Sequence, residues 1–427
     1  MSGDAAGSGG VSRRPAGEGA PVLALEGMRV LDHGHVWAGP LLGRSLAYAG
    51  AEVIKIEPPG RASGVVMGGA VARAEVADDD PRRYHDYDRG KYGITLDLAT
   101  EEGHELYLRL LAMSDIVVEN FSAGVMEGLG LGYEALSAAN PGIILASLSA
   151  TGATPGPWRD LRTYGPSLAA LYGIKGLLGY LDDPQPREDT ADLDPTAAGH
   201  AMVAILAALE YRERSGLGQH IDMAQGEATL QRIAEPVFDY LLNGRVAGPQ
   251  QNRYPGFAPH GVYRASGEDR WLSIVVRDDT EWAALVAAAE STAPELAEPR
   301  FATLAGRLAE QDDLDAAIEE WTVQHDAFEL TQRLQAARVA AFPVMGPPDL
   351  LADDNHEALR RSGVVIGPRA QITVDQLYYG IPWKLTGSTG VIQGPSPIKG
   401  GDNDYVFGEL MGIDPAERDA LRDRGVI

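Results

Sequence analysis

The chain of 427 residues contains no cysteine. Disulfides, thiolate nucleophiles and cysteine-ligated metals are therefore excluded, and a reducing cytoplasm is the expected location. No run of about 18 apolar residues is present, so the sequence predicts no membrane span. Basic residues are scarce, with 36 lysines and arginines against 61 aspartates and glutamates, and the formal net charge is −25. This balance argues against nucleic acid as a partner, and any polyanionic ligand would need a local basic pocket.

Motifs for several chemistries are also missing. The first predicted strand leads into Ala38-Gly39-Pro40 rather than a G-x-G-x-x-G turn, so neither NAD nor a flavin is expected. The H-E-x-x-H and Gly-x-Ser-x-Gly patterns do not occur, and the nine histidines show no metal-ligand spacing. We therefore predict an enzyme without a metal or a redox cofactor, or a protein that is not an enzyme.

The chain does contain a regular alternation of strand and helix signals. Met28–Leu31, a helix over Gly39–Gly50 and Glu52–Glu57 form a predicted βαβ unit. The alternation continues to Leu148, and a strong helix over Ala201–Arg214 ends at two glycines. These signals predict an α/β fold with a Rossmann-like parallel sheet covered by helices.

The pattern changes after Arg245. Gly261–Arg264 and Trp271–Val276 alternate with period two around a turn, which predicts a hairpin, and helical stretches follow. This part is a predicted smaller α+β domain. The predicted organisation is a disordered tail at 1–21, a large domain at 22–224 completed by 364–427, a small domain at 247–339, and linkers at 225–246 and 340–363.

Asp194 is the residue with the most open interpretation. It precedes Pro195 at the start of an Ala/Leu-rich helix, where an aspartate commonly caps the helix and a proline occupies its first turn. The same position also suits a nucleophile, because backbone N–H groups and the helix dipole keep a carboxylate ionised. From the residues alone both readings stay open.

At these residues the chain resembles the family III CoA-transferases, a group that includes formyl-CoA transferase, carnitine CoA-transferase and the α-methylacyl-CoA racemases. The resemblance runs from about Leu25 to Ile427. The segments that carry it are Leu25–Asp32, Ala38-Gly39-Pro40, Gly50–Glu57, Val118–Phe121, Leu129–Tyr133, the helix from Ala207 to Gln219, Gly394–Pro397 and Val406-Phe407-Gly408.

The resemblance implies that Asp194 is the family's nucleophile. It would attack an acyl-CoA thioester, pass through a mixed anhydride and an aspartyl-CoA thioester, and deliver CoA to a small carboxylic acid. The coenzyme A thioester would be a co-substrate. The expected acyl pocket is His35, Val36, Trp37, Ala38 and Tyr164. The expected CoA contacts are Lys55, Arg89, Lys91, Asn120, Phe121 and Arg159, and the loop with Tyr254 and Gly256 is the expected lid.

Two alternatives accompany this prediction. An acyl-CoA racemase or epimerase is disfavoured because Tyr164 stands where the racemases have a histidine, and a tyrosine with a pKa near 10 is a poor base. A repurposed member with weakened or no CoA binding is the second alternative. It is suggested by positions where the family often has arginine, which here are Pro58, Tyr92, Ser122 and Gly128.

The resemblance also implies the assembly. In the family, each chain forms a ring in which two long linkers join the two domains, and two rings interlock. The resemblance therefore implies an interlocked homodimer.

Overall fold

The computed structural model describes residues 22–60, 65–67, 70–72, 86–180, 192–289, 292–352, 365–369, 372–378 and 380–427. The predicted tail at 1–21 lies outside them. By its internal contacts the chain forms two compact units. The first consists of Met1–Ile174, Glu188–Phe238 and Arg360–Ile427, and the second of Lys175–Arg187 and Asp239–Leu359. The domain boundaries drawn from the sequence, the linkers and the ring arrangement remain predictions.

The first unit contains a six-stranded parallel sheet, which confirms the predicted mixed α/β fold. The strands of the first unit before residue 225 are β1 (Arg29–Asp32), β2 (Glu52–Glu57), β3 (Val65–Met67), β4 (Ala70–Ala72), β5 (Tyr92–Thr95), β6 (Ile116–Glu119), β7 (Ile144–Ser147) and β8 (His220–Asp222). The sheet order is β5-β2-β1-β6-β7-β8, while β3 and β4 form a separate antiparallel pair. The three-residue strand β8 was not predicted.

Helices pack on both faces of this sheet, with α1 and α6 on one face and α2 on the other. The helices up to residue 243 are α1 (Ala38–Tyr48), α2 (Glu101–Leu111), α3 (Val125–Gly128), α4 (Tyr133–Ala139), α5 (Gly165–Leu171), α6 (Leu193–Ser215), α7 (Gln225–Leu230) and α8 (Ala234–Asn243). One apolar core packs α1 and α6 on the sheet through Leu42, Leu46 and Ile205. The other lies against α2, where the Thr100 side chain caps the helix by accepting the Gly103 N–H.

Helix α6 begins earlier than the sequence indicated. The expected helix over Ala201–Arg214 is observed from Leu193 to Ser215. The reading of Asp194 as the N-cap is wrong, because Asp192 holds that position and Asp194 lies inside the first turn. Pro195 is tolerated there because the N–H groups of the first turn have no intrahelical partner.

The second unit has a three-stranded antiparallel sheet of order β11-β10-β9. The hairpin of β9 (His260–Arg264) and β10 (Trp271–Val275) is confirmed, whereas β11 (Ala340–Pro343) falls where a linker was expected to begin. Its helices are α9 (Asp279–Ala289), α10 (Leu304–Ala309), α11 (Gln311–Thr322), α12 (Ala327–Ala336) and α13 (Pro347–Leu351). Their core contains Trp282, Phe301 and Trp321.

The last part of the first unit consists of the antiparallel pair β12 (Val365–Arg369) and β13 (Ile372–Tyr378), a π-helix at Asp404–Leu410, and α14 (Pro415–Asp423). The two terminal helices agree with the prediction. Among the described residues, no helix has the length and apolarity needed to cross a bilayer. The same part of the chain holds no cluster of three or more His, Cys, Asp or Glu side chains arranged for a metal ion.

Candidate active site

The candidate site lies where the strand order of the parallel sheet reverses. Strand β1 pairs with β2 on one side and with β6 on the other. From β1 the strand order runs through β2 to β5 on one side, and the later strands β6, β7 and β8 follow on the other side. In sheets of this type ligands bind outside the carboxyl ends of the strands at that point. The segment 33–37 after β1 and the segment 120–124 after β6 occupy this position.

Asp194 faces the segment after β1. Its Oδ1 accepts the backbone N–H of Ala38, the first residue of α1, at 3.2 Å. The residue is half-buried, and this burial raises the pKa of its carboxyl above the ordinary aspartate value. The N–H groups of Ala38 and of Asp194 itself partly offset that effect. The carboxylate is therefore held by a backbone donor, in a residue that remains partly exposed.

Gly165, the residue after Tyr164, lies beside Asp194. A Cβ placed on Gly165 would lie 3.6 Å from Asp194 Oδ2, so the backbone at the start of α5 passes beside the carboxylate. Tyr164 itself precedes α5 and is 59% exposed. Glycine at 165 leaves open the space directly beside the carboxylate.

The segments after β1 and β6 are joined by a reciprocal pair of hydrogen bonds. Asn120 Oδ1 accepts the His35 N–H at 2.7 Å, and Asn120 Nδ2 donates to the His35 carbonyl at 2.8 Å. Phe121 packs its ring 5.2 Å from that of His35. Asn120 and Phe121 therefore hold the segment that is predicted to line the acyl pocket, and their own contacts with CoA stay predictions.

We call the two hydrogen bonds between His35 and Asn120 the clamp. Val36 and Trp37 lie between His35 and Ala38. Val36 adopts a φ of 63°, which is strained for a β-branched residue and costs about 1–3 kcal/mol. The Trp37 ring stacks on Tyr87 with centroids 5.5 Å apart. Its buried indole Nε1 finds no hydrogen-bond partner in the part of the chain that the structure describes. Backbone strain of this kind is typical of functional segments.

Three of the cations expected to contact CoA are buried. Lys55, Arg89 and Lys91 each retain 6% exposure or less. Lys91 forms an ion pair with Asp32 at 2.6 Å, Lys55 donates to the Gly34 carbonyl, and Arg89 lies 6.0 Å from the Tyr48 ring. Their role as phosphate ligands stays a prediction.

Arg159 differs from these three because it is one-third exposed. It donates to the Ala153 carbonyl at 3.0 Å and pairs with the exposed Asp160 at 2.9 Å. One of its guanidinium nitrogens would lie 3.5 Å from a Cβ placed on Gly124, so it borders the segment after β6. An accessible cation at the carboxyl edge of the sheet is suited to bind an anionic group.

The predicted lid residues belong to the second unit. Tyr254 stacks on Phe257 at 5.0 Å, and Gly256 lies between them, where a Cβ would come 3.2 Å from the Tyr254 ring. The absence of a side chain at Gly256 leaves room for the stacked rings. The lid role of Tyr254 and Gly256 stays a prediction.

Two further buried groups lie near the site: Glu119, which the sequence did not single out, and His33, which its place after the first strand marked as either a ligand-loop residue or a solvated one. Glu119 ends β6 and accepts the Phe121 N–H at 2.7 Å, and burial raises its pKa to about 7. His33 bonds the Tyr107 hydroxyl at 2.9 Å, and burial lowers its pKa to about 3. Glu119 is the last residue of β6 and His33 is the first residue after β1, so each lies where one of the two segments begins. Their place at strand ends was a usable signal, but their burial was not visible in the sequence.

Together these features define an α/β protein with a half-buried carboxylate at the carboxyl edge of a parallel sheet. Comparison with known proteins identifies its family. The family described as CoA-transferase family III matches residues 25–403. Succinyl-CoA–D-citramalate CoA-transferase of Chloroflexus aurantiacus is 33% identical over 421 residues, covering 95% of this chain and 99% of the relative.

Two further comparisons agree. Formyl-CoA:oxalate CoA-transferase of Streptomyces avermitilis is 30% identical over 428 residues, covering 95% of this chain and 99% of the relative. The crystal structure of a CAIB/BAIF family protein from Brucella suis superposes with a TM-score of 0.77 at 29% identity, covering 91% of this chain and all of the other. The chain is an enzyme that belongs to CoA-transferase family III.

Proposed function

We propose that this protein transfers CoA from an acyl-CoA to a carboxylic acid through a covalent intermediate on Asp194. The observation that carries the proposal is the placement of Asp194, a half-buried residue whose carboxylate accepts the Ala38 N–H at the switch point of the sheet. A carboxylate nucleophile divides one difficult transfer between weak electrophiles into easier steps.

In the first half-reaction, an Asp194 oxygen attacks the thioester carbonyl of the donor. The C–S bond breaks, CoA leaves as thiolate, and a mixed anhydride remains on Asp194. The thiolate then attacks the Asp194 carbonyl carbon, which releases the donor acid and leaves an aspartyl-CoA thioester. The released acid carries away one oxygen that belonged to Asp194.

The second half-reaction runs the same steps in reverse order with the acceptor. The acceptor carboxylate attacks the aspartyl thioester, CoA thiolate leaves, and a second mixed anhydride forms. The thiolate attacks the acceptor's carbonyl carbon and restores the Asp194 carboxylate. In each attack the carbonyl oxygen gains negative charge, and backbone N–H donors such as that of Ala38 are suited to stabilise it.

The ionisation of Asp194 suits this role. Burial raises the pKa of Asp194, while the two backbone N–H groups favour its charged form. A partly desolvated carboxylate also has less hydration to lose before it attacks a carbon.

For the CoA moiety we propose Arg159 as a phosphate contact. Replacement by methionine should weaken binding of free CoA about tenfold, because a charge-assisted hydrogen bond is lost. Calorimetric titration with free CoA measures this directly. Unchanged affinity would assign the phosphates to other cations, and no binding to the wild type would support the repurposed alternative.

For the acyl groups we propose small carboxylic acids. The names of two relatives include succinyl-CoA and formyl-CoA, so we choose these two thioesters as the first donors to test. The space beside Asp194 is bounded by Gly165, and Tyr164 precedes it as the predicted wall of the acyl pocket.

The test of the mechanism replaces Asp194 by asparagine. Asp192→Asn is the matched control, since Asp192 lies two residues earlier, is 59% exposed and pairs with Arg232. We expect transfer from either donor to fall below detection in Asp194→Asn and to persist in Asp192→Asn. Full activity of Asp194→Asn would exclude the covalent mechanism. Exchange of the α-proton without CoA transfer in the wild type would favour the racemase.

We also propose a homodimer. Helix α8 buries none of its residues, and α6 exposes large apolar side chains as well. The exposed apolar residues of these helices are Val203, Leu206, Phe238, Leu241 and Leu242. Apolar surface of this kind marks association sites. Sedimentation at micromolar concentration should give twice the 45.4 kDa chain mass, and a monomer would contradict the proposal.

A further inference from the structure

Two buried lysines lie beneath the segment that contacts Asp194. Lys55 belongs to β2, and Lys91 directly precedes β5. Strand β2 is next to β1 in the sheet and β5 is next to β2, and Lys91 has no solvent exposure. Burying an ammonium group is costly unless ion pairs and hydrogen bonds compensate, so its partners show what it does.

The Lys91 ammonium contacts three oxygens. It contacts Asp32 Oδ2 at 2.6 Å and Asp88 Oδ1 at 2.6 Å, and it donates to the Pro40 carbonyl in the first turn of α1 at 2.8 Å. An ammonium group has three N–H donors, and these three oxygens account for them. Asp32 is also fully buried, and both charges are compensated within the fold.

The same cluster fixes the other end of the segment. Asp32 Oδ1 accepts the Gly34 N–H at 2.7 Å, and Lys55 donates to the Gly34 carbonyl. Gly34 in turn lies against α1, because a Cβ on Gly39 would come 2.6 Å from the Gly34 Cα. The Asp32–Lys91 pair therefore holds both Gly34 and Pro40, and Ala38 lies between these two residues.

This double attachment explains how the strained segment persists. Val36 holds a φ of 63°, and such a conformation survives only where its surroundings over-determine it. The clamp from Asn120 fixes His35, and the Asp32–Lys91 pair fixes the residues before and after.

We propose that Lys91 and Asp32 are positioning residues, which fix the segment Gly34–Pro40 so that the Ala38 N–H meets Asp194 Oδ1. The proposal rests on the proposed function, since it assigns these residues to attack by Asp194 rather than to CoA binding. Lys91 acts through the backbone and does not touch the substrate.

The first variant disturbs the pair without removing a charge. A Cβ on Gly43, one turn into α1, would overlap Asp32 Oδ2 and lie 3.0 Å from Lys91 Nζ. Gly43→Ala therefore displaces the pair while improving helix propensity. Gly199→Ala in α6 is the matched control, because a Cβ there meets nothing within 4 Å. The double variant Asp32→Asn/Lys91→Met removes both charges together, which avoids leaving one of them buried alone.

Three readouts are compared: the adduct rate on Asp194 at saturating succinyl-CoA, the Kd for free CoA, and hydrogen exchange of the amides at 34–40. In Gly43→Ala and in the double variant we expect the adduct rate to fall about 10²-fold, because misplacement near 1 Å has that effect. The Kd should stay within about twofold of wild type, since CoA is not contacted. Exchange at 34–40 should accelerate, and Gly199→Ala should match wild type in all three.

A phosphate-binding role for Lys91 predicts the opposite pattern. The double variant would then raise the Kd about tenfold or more and keep the wild-type adduct rate at saturation, and the positioning proposal would be overturned. Unchanged exchange at 34–40 in both variants would overturn it as well. Failure of the proposed function is a separate result, in which the wild type forms no adduct with any thioester. Exchange at 34–40 then decides the positioning role, since faster exchange in the variants supports it.

Discussion

Glu119 should make the stability of this protein depend on pH. The side chain is buried at the end of β6, where its hydrogen bonds with Ser147 and the Phe121 N–H only partly compensate the cost of a buried charge. Burial, followed by repulsion from Glu127 and Asp222, raises the pKa of Glu119 from 4.5 to about 7. The folded protein thus holds a proton that the unfolded chain releases above pH 4.5.

Thermodynamic linkage gives the sign and the size of this pH effect on the free energy of unfolding. A raised folded-state pKa contributes stability that is complete below the unfolded value and is lost as the pH rises through about 7. At about 1.4 kcal/mol per pKa unit, the whole effect is about 3 kcal/mol, and most of it, about 2–3 kcal/mol, falls between pH 5 and pH 8.

Glu119→Gln is the appropriate change because glutamine keeps the size, an acceptor for the Phe121 N–H and a donor for Ser147, and it stays neutral. Urea denaturation followed by circular dichroism gives the free energy of unfolding at each pH. Relative to wild type, Glu119→Gln should gain about 2–3 kcal/mol between pH 5 and pH 8.

Glu134→Gln, at an exposed position in the first turn of α4, is the control and should run parallel to wild type. Parallel curves for Glu119→Gln and wild type would refute the argument, because they would show that the buried carboxyl ionises at its ordinary pKa.

Further predictions concern Asp194 and its surroundings. Because burial raises the pKa of Asp194, its charged form destabilises the fold, so Asp194→Asn should raise the thermal midpoint at pH 7, and a lowered midpoint would contradict this. For the same reason the adduct rate should decline, on the acid side, at a pH above the ordinary aspartate pKa of 3.8; a decline only below that value would count against the assignment. Asn120→Ala should lower stability by about 1–2 kcal/mol in urea denaturation through loss of both bonds to His35, whereas exposed Asp160→Ala should change it by less than about 0.5 kcal/mol.

Much of the large unit could be predicted from the sequence because its strands are buried apolar runs separated by amphipathic helices. The βαβ unit around α1 and the hairpin of β9 and β10 follow from hydrophobic period and turn residues. Strands β8 and β11 were not predicted, because His220–Asp222 and Ala340–Pro343 contain no run of Val, Ile or Leu. Their pairing is decided by neighbouring strands.

The site could be predicted only in part. Asp194 was identified by resemblance, and its position in the first turn of α6 depends on where the helix starts, which sequence patterns place within a few residues. The clamp between His35 and Asn120 joins residues 85 apart, and the pair of Asp32 and Lys91 joins residues 59 apart. Lys91 was assigned to phosphate binding from its charge, because nothing in the sequence showed its burial beside an aspartate.

The most direct measurement is the mass of the peptide that contains Asp194. The wild type is incubated with succinyl-CoA or formyl-CoA, quenched with hydroxylamine or borohydride, and digested for mass spectrometry. We expect a donor-dependent modification at Asp194 that is absent from Asp194→Asn and present in Asp192→Asn. CoA transfer by the wild type with an unmodified Asp194 peptide would contradict it.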